Sequence, residues 1–224
     1  MLKIIKRKFT TLSRLFRSGN LSGLFKVVIN PLFRIIVYRI DKISLDSYQH
    51  KSNLNSLKLT SKIANQEEME AIFNKWPDSK EELIRHEQVY NEYGFKTCFV
   101  FYNEENNEPV HFQFLITHKD LSLVEQTLPL KMYSFLKQPS NASQEWIYTF
   151  NNYRKMGVAN IAMNDIISYC KKNNIHSIYS HRGINNIASI KMAEKIGYKQ
   201  VSTAYQWQFF KQKRHQGYYL IKTI

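Results

Sequence analysis

The chain has 224 residues, 43% hydrophobic and 22% charged, with a formal net charge of +14. That apolar fraction can form a core and excludes wholesale disorder, and the length suits one domain with an appendage. Two cysteines, Cys98 and Cys170, are too few for a disulfide framework and form no C-x-x-C pair, so both are interpreted as buried reduced thiols of a cytosolic protein.

The positive charge is concentrated at the N terminus. Residues 1–45 hold ten basic residues and one acidic residue, and so carry +9 of the +14. The best apolar stretch, 27–33, falls short of the roughly 20 residues that a membrane span needs. Apolar residues instead recur at helical spacing between the basic ones, at Ile5, Phe9, Leu12 and Phe16.

This pattern predicts a basic extension of amphipathic helices, residues 1–45, in front of a separate domain. A basic helix with an apolar face is typical of peripheral binding to an anionic membrane surface, here the inner face of the cell membrane. Packing of the segment on its own domain is the main alternative. An arm that binds nucleic acid and a mitochondrial presequence are less favoured.

Strands and helices alternate through the central region. The sequence predicts a strand over 57–63, helices over 69–76 and 79–94, and a hairpin of strands 96–102 and 110–117. Residues 118–143 give no clear pattern. A further strand is predicted over 146–150, and the aromatic residues after 205 indicate a final hairpin rather than a stacking platform for nucleic acid.

A short basic loop follows the strand at 146–150. It reads Tyr153-Arg154-Lys155-Met156-Gly157-Val158-Ala159 and leads into an amphipathic helix. The first amides of a helix have no partner inside the helix, and the helix dipole adds positive charge at the same point. Gly157 lets the backbone approach a ligand closely. The loop therefore suits a pyrophosphate.

Two motifs in order resemble the GNAT superfamily of N-acetyltransferases. Arg154-x-x-Gly157-x-Ala159 resembles its coenzyme A loop, Q/R-x-x-G-x-G/A. After a strand at 177–180, Asn186-x-x-Ser189 and Glu194-Lys195-Ile196-Gly197-Tyr198 resemble the segment N-x-x-A/S…E-K-x-G-F. The resemblance is strongest over 145–210. It implies an α/β domain over 54–224, with splayed strands in a mixed central sheet flanked by helices.

The resemblance also implies a co-substrate, acetyl-CoA, and direct transfer of its acetyl group to a primary amine. The splayed strand would bind the pantetheine arm and polarise the thioester oxygen. The loop would bind the pyrophosphate, and the motif Asn would contact the arm near the thiol or brace the strands. The implied cofactor-binding residues are Tyr148, Thr149, Phe150, Arg154, Lys155, Met156, Gly157, Val158, Ala159, Asn186 and Ser189.

The sequence lacks the residue that protonates the leaving thiolate in many GNAT enzymes. Many GNAT enzymes carry a tyrosine seven residues after the motif Asn, and here that residue is Ala193. Water can protonate a thiolate, and some active subfamilies, including ribosomal-protein acetyltransferases, also lack the tyrosine. Tyr205 and Tyr148 are the candidates to replace it.

The general base is left open between two residues. Glu145 begins the splayed strand, where some family members keep a catalytic Glu. His111 lies on the mixed face of its strand and has an ordinary pKa of about 6.5. His176 and His181 flank the later strand and are also consistent with surface positions. No His, Cys, Asp or Glu residues show the spacing of metal ligands, so no metal is predicted.

The sequence thus predicts an acetyl-CoA-dependent N-acetyltransferase. GNAT proteins with basic N-terminal extensions resemble those of bacterial cell-surface polysaccharide assembly, which suggests an amino sugar on a nucleotide or lipid carrier as the acceptor. Acetylation of a protein or peptide N terminus is the alternative reaction, because that group also lacks the tyrosine. A non-catalytic module that binds CoA is the alternative class.

Overall fold

The computed structural model describes residues 33–48, 57–75, 80–209 and 218–224. These form one eight-stranded mixed sheet with helices on its faces. The strands are β1 (Phe33–Ser44), β2 (Leu59–Ile63), β3 (Cys98–Asn103), β4 (Pro109–Thr117), β5 (Asn141–Thr149), β6 (Ser177–Gly183), β7 (Lys199–Phe209) and β8 (Tyr218–Thr223). Their order across the sheet is β2-β3-β4-β5-β6-β1-β7-β8, and the predicted α/β class is confirmed.

Five α-helices lie in the described ranges, with short 3₁₀ segments at 118–120, 130–137 and 151–153. The helices are α1 (Gln66–Lys75), α2 (Lys80–Asn91), α3 (Leu121–Thr127), α4 (Val158–Lys172) and α5 (Ile187–Ile196). None of these helices is long and apolar enough to cross a membrane. The unpatterned region 118–143 contains α3, two 3₁₀ segments and the start of β5, which the small polar residues from Asn141 onward concealed.

The N-terminal strand corrects the predicted domain boundary. Residues 33–44 were predicted to belong to the basic extension, but β1 lies inside the sheet and pairs antiparallel with β6 on one edge and β7 on the other. Its side chains at Tyr38, Ile40 and Ile43 are buried. β1 is thus an inner strand of the sheet, and the domain begins at or before residue 33. The amphipathic helices predicted within residues 1–32 lie outside the described ranges.

The core divides between the two faces of the sheet. One cluster joins the β4 side chains Phe112 and Phe114 to residues of α1, α2, α3 and the 3₁₀ segment 130–137. The other cluster joins Ile178 of β6 to α4 and α5. Alternation along β1 follows this division, since Ile40 belongs to the first cluster and Ile43 to the second.

A bulge in β5 opens the sheet at its middle. β5 and β6 pair in parallel only where Asn141–Ser143 lie beside Ser177–Tyr179. Beyond that point the register with β4 slips by one residue, between the pairs Phe114–Glu145 and Phe112–Tyr148, and Trp146 has a φ of 46°. A bulge bends its strand. β5 therefore leaves β6, and the two strands form the predicted splay.

Candidate active site

A cavity of about 860 Å³ opens at the wedge between β5 and β6. This volume is within the range of small-molecule sites in proteins. Residues 144–147 of β5 and 180–183 of β6 form its inner wall. The outer wall comes from α2 and the residues after it, from residues 126–133, and from the start of α5. Polar and aromatic side chains share the lining: Tyr38, Arg85, His86, Gln88, Glu92, Tyr93, Tyr133 and Trp146.

Glu145, one of the two predicted bases, lies in this wall. Its side chain is buried, and its Oε1 accepts a hydrogen bond from Ser143 Oγ at 2.7 Å. The same oxygen lies 2.6 Å from His181 Nδ1. The other ring nitrogen of His181, Nε2, lies 3.0 Å from the backbone oxygen of Met132. The structure therefore brings a carboxylate and an imidazole together at the wedge.

The sequence drew attention to His181 only as a residue flanking a strand. In the structure its side chain is 5% exposed, and its ring centroid lies 4.5 Å from that of Tyr133. Alternation along β6 carries the relevant signal, because His181 points to the same face of the sheet as its β1 partner Ile40, opposite to Arg182. Tyr133 comes from the unpatterned region and gave no comparable signal.

His111 does not occupy the predicted place. Its side chain is fully buried, its Nδ1 lies 2.7 Å from Thr149 Oγ1, and the residue is not part of the cavity lining. Burial lowers the pKa of His111 to about 4, because the charged imidazolium is poorly solvated there. His111 is therefore neutral at pH 7 and too far inside the core to serve as the base.

The predicted tyrosine acids are also outside the cavity. Tyr205 pairs with Val37 across β1 and β7, and Tyr38, the next residue of β1, is the one that lines the cavity. Because neighbouring residues of a strand point to opposite faces, Tyr205 faces away from the site. Tyr148 is buried and stacks on Phe112 with ring centroids 5.3 Å apart. Neither phenol borders the cavity.

The loop after β5 has the geometry of an anion site. Gly157 has a φ of 78° and is the N-cap of α4, while Lys155 has a φ of 67°. Arg154 Nε donates to Thr149 O at 3.0 Å, and its guanidinium lies 5.6 Å from the Tyr148 ring centroid. The loop therefore folds back on the end of β5, and the first turn of α4 follows it, where a helix has backbone amides without an intrahelical partner.

Asn186 and Ser189 border the cavity from the start of α5. Asn186 Oδ1 accepts a hydrogen bond from the backbone N–H of Ser189 at 3.2 Å, which caps the helix. The motif Asn therefore has a local structural role. Ala193, in the place of the family's tyrosine, is fully buried among the residues of α4 and does not border the cavity.

A buried polar network lies beneath the wedge. Arg182 Nη1 donates to Asp41 Oδ2 at 2.9 Å, and its guanidinium lies 4.9 Å from the Tyr198 ring centroid. The Tyr198 hydroxyl donates to Gln144 Oε1 at 2.7 Å, and Gln144 donates in turn to Gln113. Burial raises the pKa of Tyr198, so the phenol keeps its proton and remains a donor.

Both cysteines lie in the core and do not border the cavity. Cys98 and Cys170 are both buried and form no disulfide, as predicted. Burial raises the pKa of Cys170 to about 12. Within the described ranges, no three His, Cys, Asp or Glu side chains are close enough together to hold a metal ion.

The family comparison agrees with the motifs. The sequence profile of the acetyltransferase (GNAT) family matches residues 64–198, more than half of the chain. No sequence of a curated protein matches significantly.

Solved structures share the fold at low sequence identity. A GCN5-related glucosamine N-acetyltransferase region of a fungal multi-domain GH3 β-N-acetylglucosaminidase is 14% identical with a TM-score of 0.56, over 84% of this chain and 22% of that one. A GNAT acetyltransferase from Colwellia psychrerythraea is 12% identical with a TM-score of 0.50, over 82% and 60%. A GCN5-related N-acetyltransferase from Sphaerobacter thermophilus is 6% identical with a TM-score of 0.51, over 85% and 57%. The chain spans less than two thirds of the length of each.

Proposed function

Because the chain belongs to the acetyltransferase (GNAT) family, we propose that it transfers an acetyl group from acetyl-CoA to a primary amine bound in the cavity. One observation carries this proposal. β5 carries the buried carboxylate Glu145 in the cavity wall, and the loop that leads to the N-cap Gly157 of α4 follows the end of the same strand, beyond the point where β5 and β6 separate. The loop would bind the pyrophosphate of the thioester, and the carboxylate would accept the proton that the amine must lose.

Acetyl-CoA would lie along the open edge of β5. The backbone amides of Met156, Gly157, Val158 and Ala159 would bind its pyrophosphate, with the charges of Arg154 and Lys155 nearby. The pantetheine arm would follow residues 148–150 at the end of β5, past the point where β5 separates from β6, and a backbone N–H there would polarise the thioester oxygen. Positioning of this kind supplies much of the rate of an acyl transfer.

The reaction needs one proton acceptor in the cavity. Glu145 takes a proton from the acceptor ammonium, and the amine nitrogen then attacks the thioester carbonyl carbon. The new C–N bond forms as the C–S bond breaks, and the electron pair of the C–S bond leaves with the sulfur as a thiolate. Water protonates the thiolate in this scheme, and neither of the predicted tyrosine acids, Tyr205 and Tyr148, borders the cavity. The amide nitrogen releases its remaining extra proton to solvent.

An amino sugar is the proposed acceptor, on a nucleotide or lipid carrier in bacterial surface polysaccharide assembly. The lining supports a polar ring-shaped acceptor, because aromatic rings of Tyr93 and Trp146 face the same space as the hydrogen-bonding groups of Arg85, Gln88 and Glu92. A protein N terminus is the competing acceptor. A fold that binds CoA without chemistry is the competing class.

Free-thiol release from acetyl-CoA, measured with a panel of amino sugars and of peptides, tests the reaction and the acceptor. Glu145→Gln should lower kcat at least about 100-fold, the range of a lost general base. Glu92→Gln, a second carboxylate in the lining, should change mainly the KM of the acceptor. Turnover with peptides alone would reject the sugar. CoA binding without turnover of any amine would reject the enzyme.

The N-terminal residues are proposed to bind an anionic membrane surface, which would place the protein peripherally at the inner membrane face. Residues 1–32 contain seven basic residues and no acidic one, and their apolar residues recur at helical spacing. Flotation with anionic liposomes should depend on residues 1–32 and weaken at high salt. The deletion must stop at 32, because β1 begins at Phe33. Equal flotation without residues 1–32 would reject this proposal.

A further inference from the structure

The hydrogen-bond partners of His181 determine which of its ring nitrogens carry a hydrogen. Its Nε2 lies 3.0 Å from the backbone oxygen of Met132, and its Nδ1 lies 2.6 Å from Glu145 Oε1. A carbonyl oxygen can only accept, so Nε2 must carry a hydrogen. A neutral imidazole has one N–H, and His181 donates it to the carbonyl oxygen of Met132.

The contact with Glu145 then requires a second proton. Without one, a nitrogen lone pair would face a carboxylate oxygen at 2.6 Å, with no hydrogen between them. Ser143 donates its hydroxyl to the same oxygen, which favours the charged carboxylate. Because this oxygen accepts from Ser143 as well, we assign the shared proton to the ring.

We propose that His181 is a positioning residue for the acetyl transfer, present as an imidazolium that holds the Glu145 carboxylate ionised and oriented. This rests on the proposed function. Within the described ranges Glu145 Oε2 takes part in no hydrogen bond, and Glu145 borders the cavity, so this oxygen is the one that meets the acceptor ammonium. His181 acts through Glu145 and does not receive the substrate's proton.

The surroundings make the pair interdependent. The side chains of His181 and Glu145 are 5% and 9% exposed, and Tyr133 and Phe135 cover the imidazole with ring centroids 4.5 and 5.8 Å away. A buried charge without a partner is unstable and neutralises. Removing the imidazolium should therefore leave Glu145 as an uncharged acid that cannot take a proton. The other charged or titratable groups that border the cavity are Arg85, His86, Glu92, Tyr38, Tyr93 and Arg182.

A substitution that keeps a hydrogen bond but removes the charge tests this role. His181→Gln should lower kcat at least about ten-fold and leave the KM of acetyl-CoA unchanged, because His181 borders the cavity whereas the loop proposed for the pyrophosphate does not. Ser143→Ala removes a neutral donor from the same carboxylate oxygen and should change kcat only a few-fold. An unchanged kcat in H181Q, with Glu145→Gln inactive, would overturn the proposal.

Histidine nitrogen NMR tests the pair without any acceptor. In the ¹⁵N-labelled full chain at pH 7, both ring nitrogens of His181, assigned from their loss in H181Q, should be protonated. In Glu145→Gln the ring should lose one of these protons. A bare Nδ1 in the wild type would overturn the proposal even if the enzyme is active. A protonated pair in a protein that acetylates no amine would reject the proposed function while leaving this ion pair in place.

Discussion

Arg182 of β6 donates from Nη1 to Oδ2 of Asp41 in β1 over 2.9 Å, and both side chains are fully or almost fully buried. Asp41 also accepts from Arg39 Nε at 2.5 Å. The N-terminal strand thus supplies the counter-charge of an arginine that borders the cavity, although the strand precedes residues 64–198, the part matched by the family profile. A residue of the cavity wall therefore depends on a residue outside the part of the chain that the family profile matches.

Asp41→Asn should destabilise the protein strongly. The substitution leaves the buried Arg182 charge without its carboxylate, and breaking a buried ion pair in this way costs about 3–5 kcal/mol of the free energy of unfolding. Urea denaturation measures the change. Glu68→Gln breaks the exposed pair with Lys62 and should cost less than about 1 kcal/mol. Equal losses in the two variants would contradict the role assigned to Asp41.

Deleting residues 1–44 should abolish cooperative unfolding. The deletion removes an inner strand and exposes the unpaired edges of β6 and β7. Deleting residues 1–32 leaves every described strand in place and serves as the control. Thermal unfolding followed by circular dichroism distinguishes the two. A cooperative transition in the chain without residues 1–44 would mean that β1 is dispensable.

Gly157→Val should weaken CoA binding at least ten-fold. A φ of 78° is strained for a β-branched residue, and the loop must deform to relieve that strain. Isothermal titration with CoA measures the change. Gly94→Val introduces the same strain at a φ of 82°, beside Leu123 of α3, and should lower stability without changing CoA affinity. Unchanged affinity in G157V would refute the proposed pyrophosphate site.

The buried His111 should make the protein less stable in acid. Its pKa is about 4 when folded and about 6.5 when unfolded, so below 6.5 the unfolded chain binds more protons. The stability is complete above pH 6.5 and falls as the pH drops towards 4, by about 2 kcal/mol between pH 7 and pH 5. Urea denaturation at both pH values checks this. His111→Gln should show a correspondingly smaller difference, and an equal one would contradict the prediction.

Tyr205→Phe should leave kcat and both KM values within two-fold of the wild type. The side chain lies on the face of the sheet opposite to the cavity and cannot deliver a proton to the thiolate. Steady-state kinetics with acetyl-CoA measures this. Tyr133→Phe, which changes a phenol in the cavity lining beside His181, is the matched comparison. A ten-fold fall in kcat for Y205F would restore the tyrosine as the acid.

Local sequence signals predicted the secondary structure around the loop 153–159 well. The strand before Arg154, the turn at Gly157 and the helix from Val158 follow one another within some 30 residues, and each has its own periodicity or turn chemistry. The residues of the cavity were predicted less well. Of the two candidate bases, Glu145 lies in the cavity and His111 in the core, because the β-strand period does not show which face of a strand is closed by a helix.

The sequence by itself determined the GNAT resemblance, the elements of 145–198 and the splayed sheet as a fold class. Tertiary structure alone decided that residues 33–44 form an inner strand, that Asp41 pairs with Arg182, 141 residues away, and that Glu145 meets His181. The physical reason is the range of the interactions. Turns and helix caps depend on neighbours along the chain, whereas strand pairing and buried ion pairs depend on which distant segments exclude water together.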